Sequence, residues 1–358
     1  MSRIVDGFIF YNELDLLELR LKENWDVVDY FIIVEATKTF SNQDKILYFD
    51  VNQDRYQQYR SKIIHVIVDD MPDGTNPWIR EVHQRNCISR GLQQLSLNDK
   101  DFICVSDADE ILNPETLQKI KLNPEPFLNH VYTFEQSMFY YHLECVAKDK
   151  WQAACMFSYR LYHQQQFDIH SVRTPNPSKN IIRNGGWHLS YFGGVDTIKT
   201  KMTNFSHHQE FENTIYLTDD YIQKRIDSCD DLFLNKEYRR LYVFDNVDLP
   251  RYYRMIYSSK PLTVLYGNST RYINVTLKCL ETFRSGHLII IPGNYNFNDL
   301  FTDPCLLAIK KVVILLNQEY IVIMENNSAM IEINIETGCV LTNNQGSVSG
   351  TLPIIINN

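Results

Sequence analysis

Residues 102–112 read "FICVSDADEIL", an apolar, β-favouring run that ends abruptly in two aspartates and a glutamate. Carboxylates are among the costliest side chains to place at the end of a buried strand unless a partner compensates them. The stretch therefore predicts a central strand with a site at its carboxyl end.

Three upstream runs have the same character. "RIVDGFIF" (3–10) leads through a turn at Tyr11–Glu13 into a helix with Leu14, Leu17 and Leu21 in helical spacing. "VDYFIIVEAT" (28–37) places Glu35 at its end, and "SKIIHVIVDD" (61–70) ends on Asp69 and Asp70. "NPWIREVHQRNCISRGLQQL" (76–95) reads as helix. Alternating strands and helices predict an α/β sheet, in which ligands bind beyond the carboxyl ends of the strands. Asn12 and Glu13, Glu35, Asp69, and Asp107 with Asp109 all stand at such ends.

Beyond residue 112 the expectations are coarser. "HVYTFEQSMFYYHLEC" and "AACMFSYRLYH" read as aromatic-rich strands, "NGGWHLSYFGG" as a glycine-punctuated stretch, and "TDDYIQKRIDSCDDLF" as helix. After "SSKP" short β-favouring runs such as "LTVLYG", "YINVTL" and "KKVVILLN" dominate, separated by Asn, Gly and Ser. A boundary near residue 258 is expected, dividing an α/β domain (1–258) from a small, mostly β module (259–358).

Composition narrows the function classes. The hydrophobic share of 44% supplies ample core for a folded protein, and a net charge of -9 without blocks of like charge argues against a nucleic-acid surface. The eight cysteines form no CxxC pair, so neither a zinc site nor a disulfide framework is expected and a reducing compartment is the simpler reading. Neither a secretory signal nor an apolar run of about 20 residues occurs, so the expectation is a soluble, cytoplasmic protein without a membrane span. Asn-x-Ser/Thr sequons, as at Asn204, carry little weight without an export signal.

Clustered strand-end carboxylates suit hard divalent cations, since Mg²⁺ or Mn²⁺ takes one or two protein carboxylates and leaves its other positions to water and phosphates. The plainer alternative is that Asp107 caps a turn or the helix beginning at "NPET". A bare DxD does not separate the two.

Five stretches in order, "FIFYNELDLLELRL", "DYFIIVEATKTFSNQDK", "REVHQRNCISRGL", "VSDADEIL" and "GWHLSYFGG", resemble glycosyltransferase family 17 across roughly the first 250 residues. The resemblance implies a GT-A-type, Rossmann-like nucleotide-sugar-binding domain and a metal-dependent, inverting transfer from a UDP-sugar, UDP-N-acetylglucosamine first among them, to a glycan or glycoprotein acceptor. It makes Asp107 and Asp109 the DxD carboxylates for Mn²⁺ or Mg²⁺, with His188 a third ligand and His207 or His208 alternatives. Tyr11, Asn12, Glu13, Glu35, Arg85, Asp107 and Trp187 are its candidates for contacting the nucleotide sugar. A surface ion pair for Arg85, a solvated helix-start carboxylate for Glu13 and a core tryptophan for Trp187 are the alternatives.

An inverting transfer requires a base beside the acceptor hydroxyl. Asp196, directly after the glycine-rich motif, is preferred, and Glu210 in "SHHQEF" is the second candidate. Against animal members the expectation is a chain without their membrane anchor and with an added C-terminal module, a candidate surface for oligomerisation. Two competing classes are a metal-dependent phosphohydrolase or nucleotidyltransferase, and a carbohydrate-binding protein with a decayed transferase site.

Overall fold

The structure, a computed structural model, describes residues 2–173, 180–205, 215–257, 262–302, 304–305, 308–316, 319–324, 330–335, 340–342, 346–348 and 354–356. The chain divides into two compact units: Met1–Arg240 with Asp248–Ile256, and Leu241–Val247 with Tyr257–Asn358.

The first unit is built on β1 (Ile4–Phe10), β2 (Tyr30–Ala36), β3 (Ile63–Val68) and β4 (Phe102–Asp107), all parallel, in the spatial order 3-2-1-4. These strands read as nearly unbroken apolar runs because both faces are covered. Phe8, Phe31, Ile33, Phe102 and Cys104 enter the core on one face, and Val5, Ile32, Val34, Ile103 and Val105 enter it on the other. Cys104 is thus the buried small hydrophobe its surroundings imply.

Beyond β4 the sheet becomes mixed and curls, its pairs antiparallel except for a parallel pair deeper in it. The short β5 (Glu110–Leu112) follows β4 across a turn, and β6 (Tyr132–Tyr140), β7 (His142–Ala147), β8 (Cys155–Ser158), β9 (Asn180–Ser190) and β10 (Tyr238–Arg240) complete it. β8 joins β4 to β6, and β9 lies between β6 and β5. Gly186 permits that last contact: its φ is +126°, and a Cβ there would lie 2.1 Å from the Ile111 carbonyl oxygen.

Three sequence expectations change in detail. The run expected as one strand over "AACMFSYRLYH" becomes β8 followed by the helix Tyr159–Gln165, because Ser158 caps it by accepting from the Leu161 N–H. "NGGWHLSYFGG" is mostly strand, its first two glycines lying inside β9. In the second unit the strand Arg271–Asn274 takes in only the first three residues of "YINVTL", and the helix Thr276–Phe283 follows, burying Cys279 and Phe283.

The described part of that second unit has two five-stranded sheets around Val264, Tyr266, Phe297, Ile314, Ile323 and Ile333. The segment Leu241–Val247, upstream of the boundary read from the sequence, belongs to it. Asp245 pairs with Lys311 at 2.5 Å, and Tyr242 meets Tyr272 edge to face.

Contrary to the reducing-compartment reading, Cys145 of β7 and Cys229 form a disulfide between Cα atoms 5.5 Å apart. Both are buried among Tyr141, Ile198, Met202 and Ile222, and the bond ties the helix Asp219–Ser228 to the sheet. Sequence spacing failed because the partners lie 84 residues apart. Disulfides of this kind persist in oxidising surroundings. Non-reducing peptide mapping should recover the Cys145–Cys229 cross-link, and its reduction should cost about 2–5 kcal/mol in urea unfolding. Two free thiols at these positions in protein made under oxidising conditions would refute the pairing.

Candidate active site

The turn between β4 and β5 sets the site. Asp6 interrupts the apolar run of β1 and is fully buried, so it needs a cation, and Arg20 of the helix Leu14–Asn24 supplies one at 2.6 and 2.8 Å. The opposite side of the same guanidinium donates to the carbonyl oxygens of Asp107 at 2.7 Å and Glu110 at 3.0 Å. Glu110, also buried, then accepts from the Asp107 N–H at 2.9 Å. The backbone of Asp107–Ala108–Asp109 is therefore gripped from below and its carboxylates project upward.

They project into a cavity of about 400 Å³ lined by five cationic side chains, Lys38, Lys45, Arg85, Arg173 and Lys201, and four acidic ones, Glu13, Glu81, Asp107 and Asp109. Arg85 donates to Asp107 at 2.8 Å and to Glu81 at 2.7 Å, while Arg173 reaches Asp107 at 2.5 Å and Glu110 at 2.6 Å. Lys201 lies 2.6 Å from one Asp109 oxygen, and His188 Nε2 lies 3.6 Å from the other. Burial pushes both aspartyl groups up, but the cations outweigh it. Arg173 and Arg85 hold Asp107, and Lys201 and His188 hold Asp109, below the usual carboxylate range. Glu13 is the contrast, since burial raises its carboxyl against the opposing pull of Lys201.

The helix alternative for Asp107 does not apply. Asn113 caps the helix Pro114–Leu122 by accepting from the Glu115 N–H at 2.9 Å.

Of the residues singled out in the sequence, Tyr11, Glu13, Arg85, Asp107, Asp109 and His188 line the cavity. Asn12 and Glu35 are not among its described lining. Glu35 is buried behind it, accepting from the Phe49 N–H at 3.0 Å and facing His65 at 3.1 Å and Lys45 at 3.8 Å, so it positions Lys45 instead of meeting a ligand. Trp187 alternates to the other side of β9, where its indole donates to Asp248 at 3.0 Å. The tryptophans at the cavity are Trp78 and Trp151. The latter packs 4.6 Å from the His188 ring and donates to Glu110 at 2.5 Å. Asp196 is exposed on the first turn of the helix Gly194–Asn204 and is not among the lining residues. Glu210, His207 and His208 lie outside the described residues.

Arg173 and Lys201 are the principal groups missed. Neither stands in a local motif, and the long-range packing of β9 and two helices brings them in. Arg20 was legible in principle, because an aspartate inside an apolar strand requires a buried partner.

The donor set accommodates a divalent cation at Asp109 and His188, a carboxylate oxygen and the imidazole Nε2 that faces it at 3.6 Å. Asp107, with both oxygens on guanidinium groups, is poorly placed to be a second ligand.

Residues 1–254 match the family model of glycosyltransferase family 17. The β-1,4-mannosyl-glycoprotein 4-β-N-acetylglucosaminyltransferases of Rattus norvegicus and Homo sapiens are each 29% identical over 138 residues, 36% of this chain and 26% of theirs. The chain thus matches about a quarter of the length of these relatives. Among solved structures, S. aureus TarS 1-349 is 11% identical, with a TM-score of 0.32 over 64% of this chain and 83% of that one. A 4-diphosphocytidyl-2C-methyl-D-erythritol synthase is 12% identical, with a TM-score of 0.31 over 52% and 89%. Likenesses this distant carry nothing about function.

Because the folded Asp107 carboxyl titrates below its ordinary value, its stabilisation is present above that value, about pH 4, and is lost as pH falls further. Asp107→Asn should therefore lower stability by roughly 2–3 kcal/mol at pH 7, less than for a fully buried pair because the side chain is 34% exposed. The difference should close below about pH 4 in urea melts at stepped pH. A pH-independent gap would mean that the carboxylate charge is not what holds Arg85 and Arg173.

Proposed function

The chain belongs to glycosyltransferase family 17, and from that premise we propose that it transfers a sugar, N-acetylglucosamine in the first instance, from a UDP-sugar to a hydroxyl of a glycan or glycoprotein. The observation that carries the reading is the gripped Asp107–Asp109 turn opening on a cavity rich in guanidinium and ammonium groups. A nucleotide diphosphate meets its charge in Arg85, Arg173 and Lys201, whose guanidinium members present planar paired donors. The Tyr11 ring, set edge to face against Tyr48 at 5.6 Å, offers a flat apolar surface to the base, and Trp151 offers one to the sugar.

Asp109 and His188 would hold Mn²⁺ or Mg²⁺, which supplies neutralisation of the charge that grows on the leaving diphosphate. The protein's own cations act in the same direction. Arg85 and Arg173, fixed before reaction by Glu81, Glu110 and Asp107, need no reorganisation as the anomeric bond to phosphate breaks. The acceptor oxygen bonds the anomeric carbon from the opposite side and yields its proton to a carboxylate, so an α-linked donor gives a β-linked product. With Asp196 exposed away from the cavity, Glu210 is the stronger candidate for that base. A two-metal phosphohydrolase is less favoured, because the Asp107 oxygens face arginines.

Calorimetry should show UDP binding that depends on Mn²⁺ or Mg²⁺ and vanishes in Asp109→Asn. Unchanged UDP affinity after chelation would remove the metal from the reading. Turnover should fall roughly 10²–10⁴-fold in Glu210→Gln and change little in Asp196→Asn. Proton NMR of the product should report a β anomer, and an α product would exclude inversion.

A further inference from the structure

We infer that Lys201 is a movable counter-ion that competes with the divalent cation for Asp109 in the free protein and passes to the diphosphate when the donor binds. The inference rests on the metal-assisted reading above and deepens it.

The Lys201 ammonium sits 2.6 Å from Asp109 Oδ2, the carboxylate best placed to ligate a metal. Asp109 is only 5% exposed at its side chain, so the pair meets in a setting where charge is weakly screened, whereas Lys201 is 28% exposed and its stem has room to move. A divalent cation on the same carboxylate would lie within a few ångströms of the ammonium, where like charges repel strongly. Lys201 holds Oδ2 and His188 faces Oδ1, so a cation bound at Oδ1 and the ammonium on Oδ2 would weaken each other's hold on Asp109.

What Lys201 would leave for is already at hand. It lies on the last turn of the helix Gly194–Asn204, where the helix dipole favours a cation, and Ile198 and Met202 anchor the helix in the core. Its ammonium stands over the Tyr191 ring at 5.3 Å, and both residues line the cavity. A lysine suits such a transfer, because a compact charge on a flexible four-carbon stem can turn from a carboxylate to a phosphate without moving the backbone. Arg85 and Arg173, each braced by a second carboxylate, have no such freedom. The free protein would then bind metal weakly, and nucleotide diphosphate and metal would each strengthen the binding of the other, because the diphosphate draws away the competing cation.

The test is Mn²⁺ binding to the full chain followed by electron paramagnetic resonance, with and without UDP. In Lys201→Met, Mn²⁺ alone should bind at least about tenfold more tightly than in the wild type, and the mutual enhancement with UDP should shrink by a similar factor, as a lost counter-ion contact of about 1.4 kcal/mol dictates. Lys201→Arg, which keeps the charge, should retain weak binding of Mn²⁺ alone. Equal or weaker Mn²⁺ binding by a folded Lys201→Met protein, with normal Mn²⁺–UDP binding by the wild type, would overturn the competition and leave the metal site standing. If neither protein bound Mn²⁺ even with UDP, both this inference and the metal reading would fall. Acetic anhydride labelling of the wild type needs no variant: saturating Mn²⁺ alone should raise the acetylation of Lys201 several-fold, and an unchanged rate would overturn the proposal.

Discussion

Everything at the candidate site depends on one buried ion pair. Asp6 and Arg20 are each shielded from water, and desolvating two charges is offset only when geometry and further hydrogen bonds are good. Here they are. The guanidinium spends two nitrogens on Asp6 and turns the third to main-chain oxygens of the β4–β5 turn, with Phe8 stacked against it at 4.0 Å. A lysine would preserve the charge and lose the fork. The pair thus couples β1, the first helix and the acidic turn, and makes the position of Asp107 and Asp109 a property of the core and not of a surface loop.

On that foundation rests a balance of charge. Carboxylates and cations line the cavity in nearly equal number, and each of the two DxD aspartates already has basic partners. Such a site is stable without ligand, and a ligand enters by exchange: a phosphate oxygen takes a donor from a carboxylate, and the carboxylate is released for another cation. Selectivity then rests on which cations can let go. The two arginines each bond a second carboxylate, whereas Lys201 bonds Asp109 and is drawn to Glu13 only through space.

The parallel half of the fold was legible because its strands are continuous apolar runs between turn signals, with polar residues repeated at their carboxyl ends. Asp107, Asp109 and Glu13 reach the cavity for that reason. Reading weakened where alternation decides the outcome. Adjacent residues of a strand face opposite ways, so Trp187 turns to Asp248 while His188 turns to Asp109, and a motif quoted as a block cannot tell them apart. Arg173, Lys201 and the Cys145–Cys229 bond depend on contacts between distant segments, for which a single sequence carries no local signal.

The path of the chain between its two units has a consequence for how such a protein is inherited. The backbone passes from one unit to the other at Arg240–Leu241, returns at Val247–Asp248 and leaves again at Ile256–Tyr257. The short excursion is committed on both sides: Asp245 is paired with Lys311, and after the return Asp248 receives the Trp187 indole and the Arg251 and Tyr252 N–H groups meet Glu23. A β unit joined end to end by gene fusion would be linked by one strand of chain and could be lost or exchanged in a single recombination. Here the segments alternate along the chain, so a single breakpoint leaves one unit without a segment of its own.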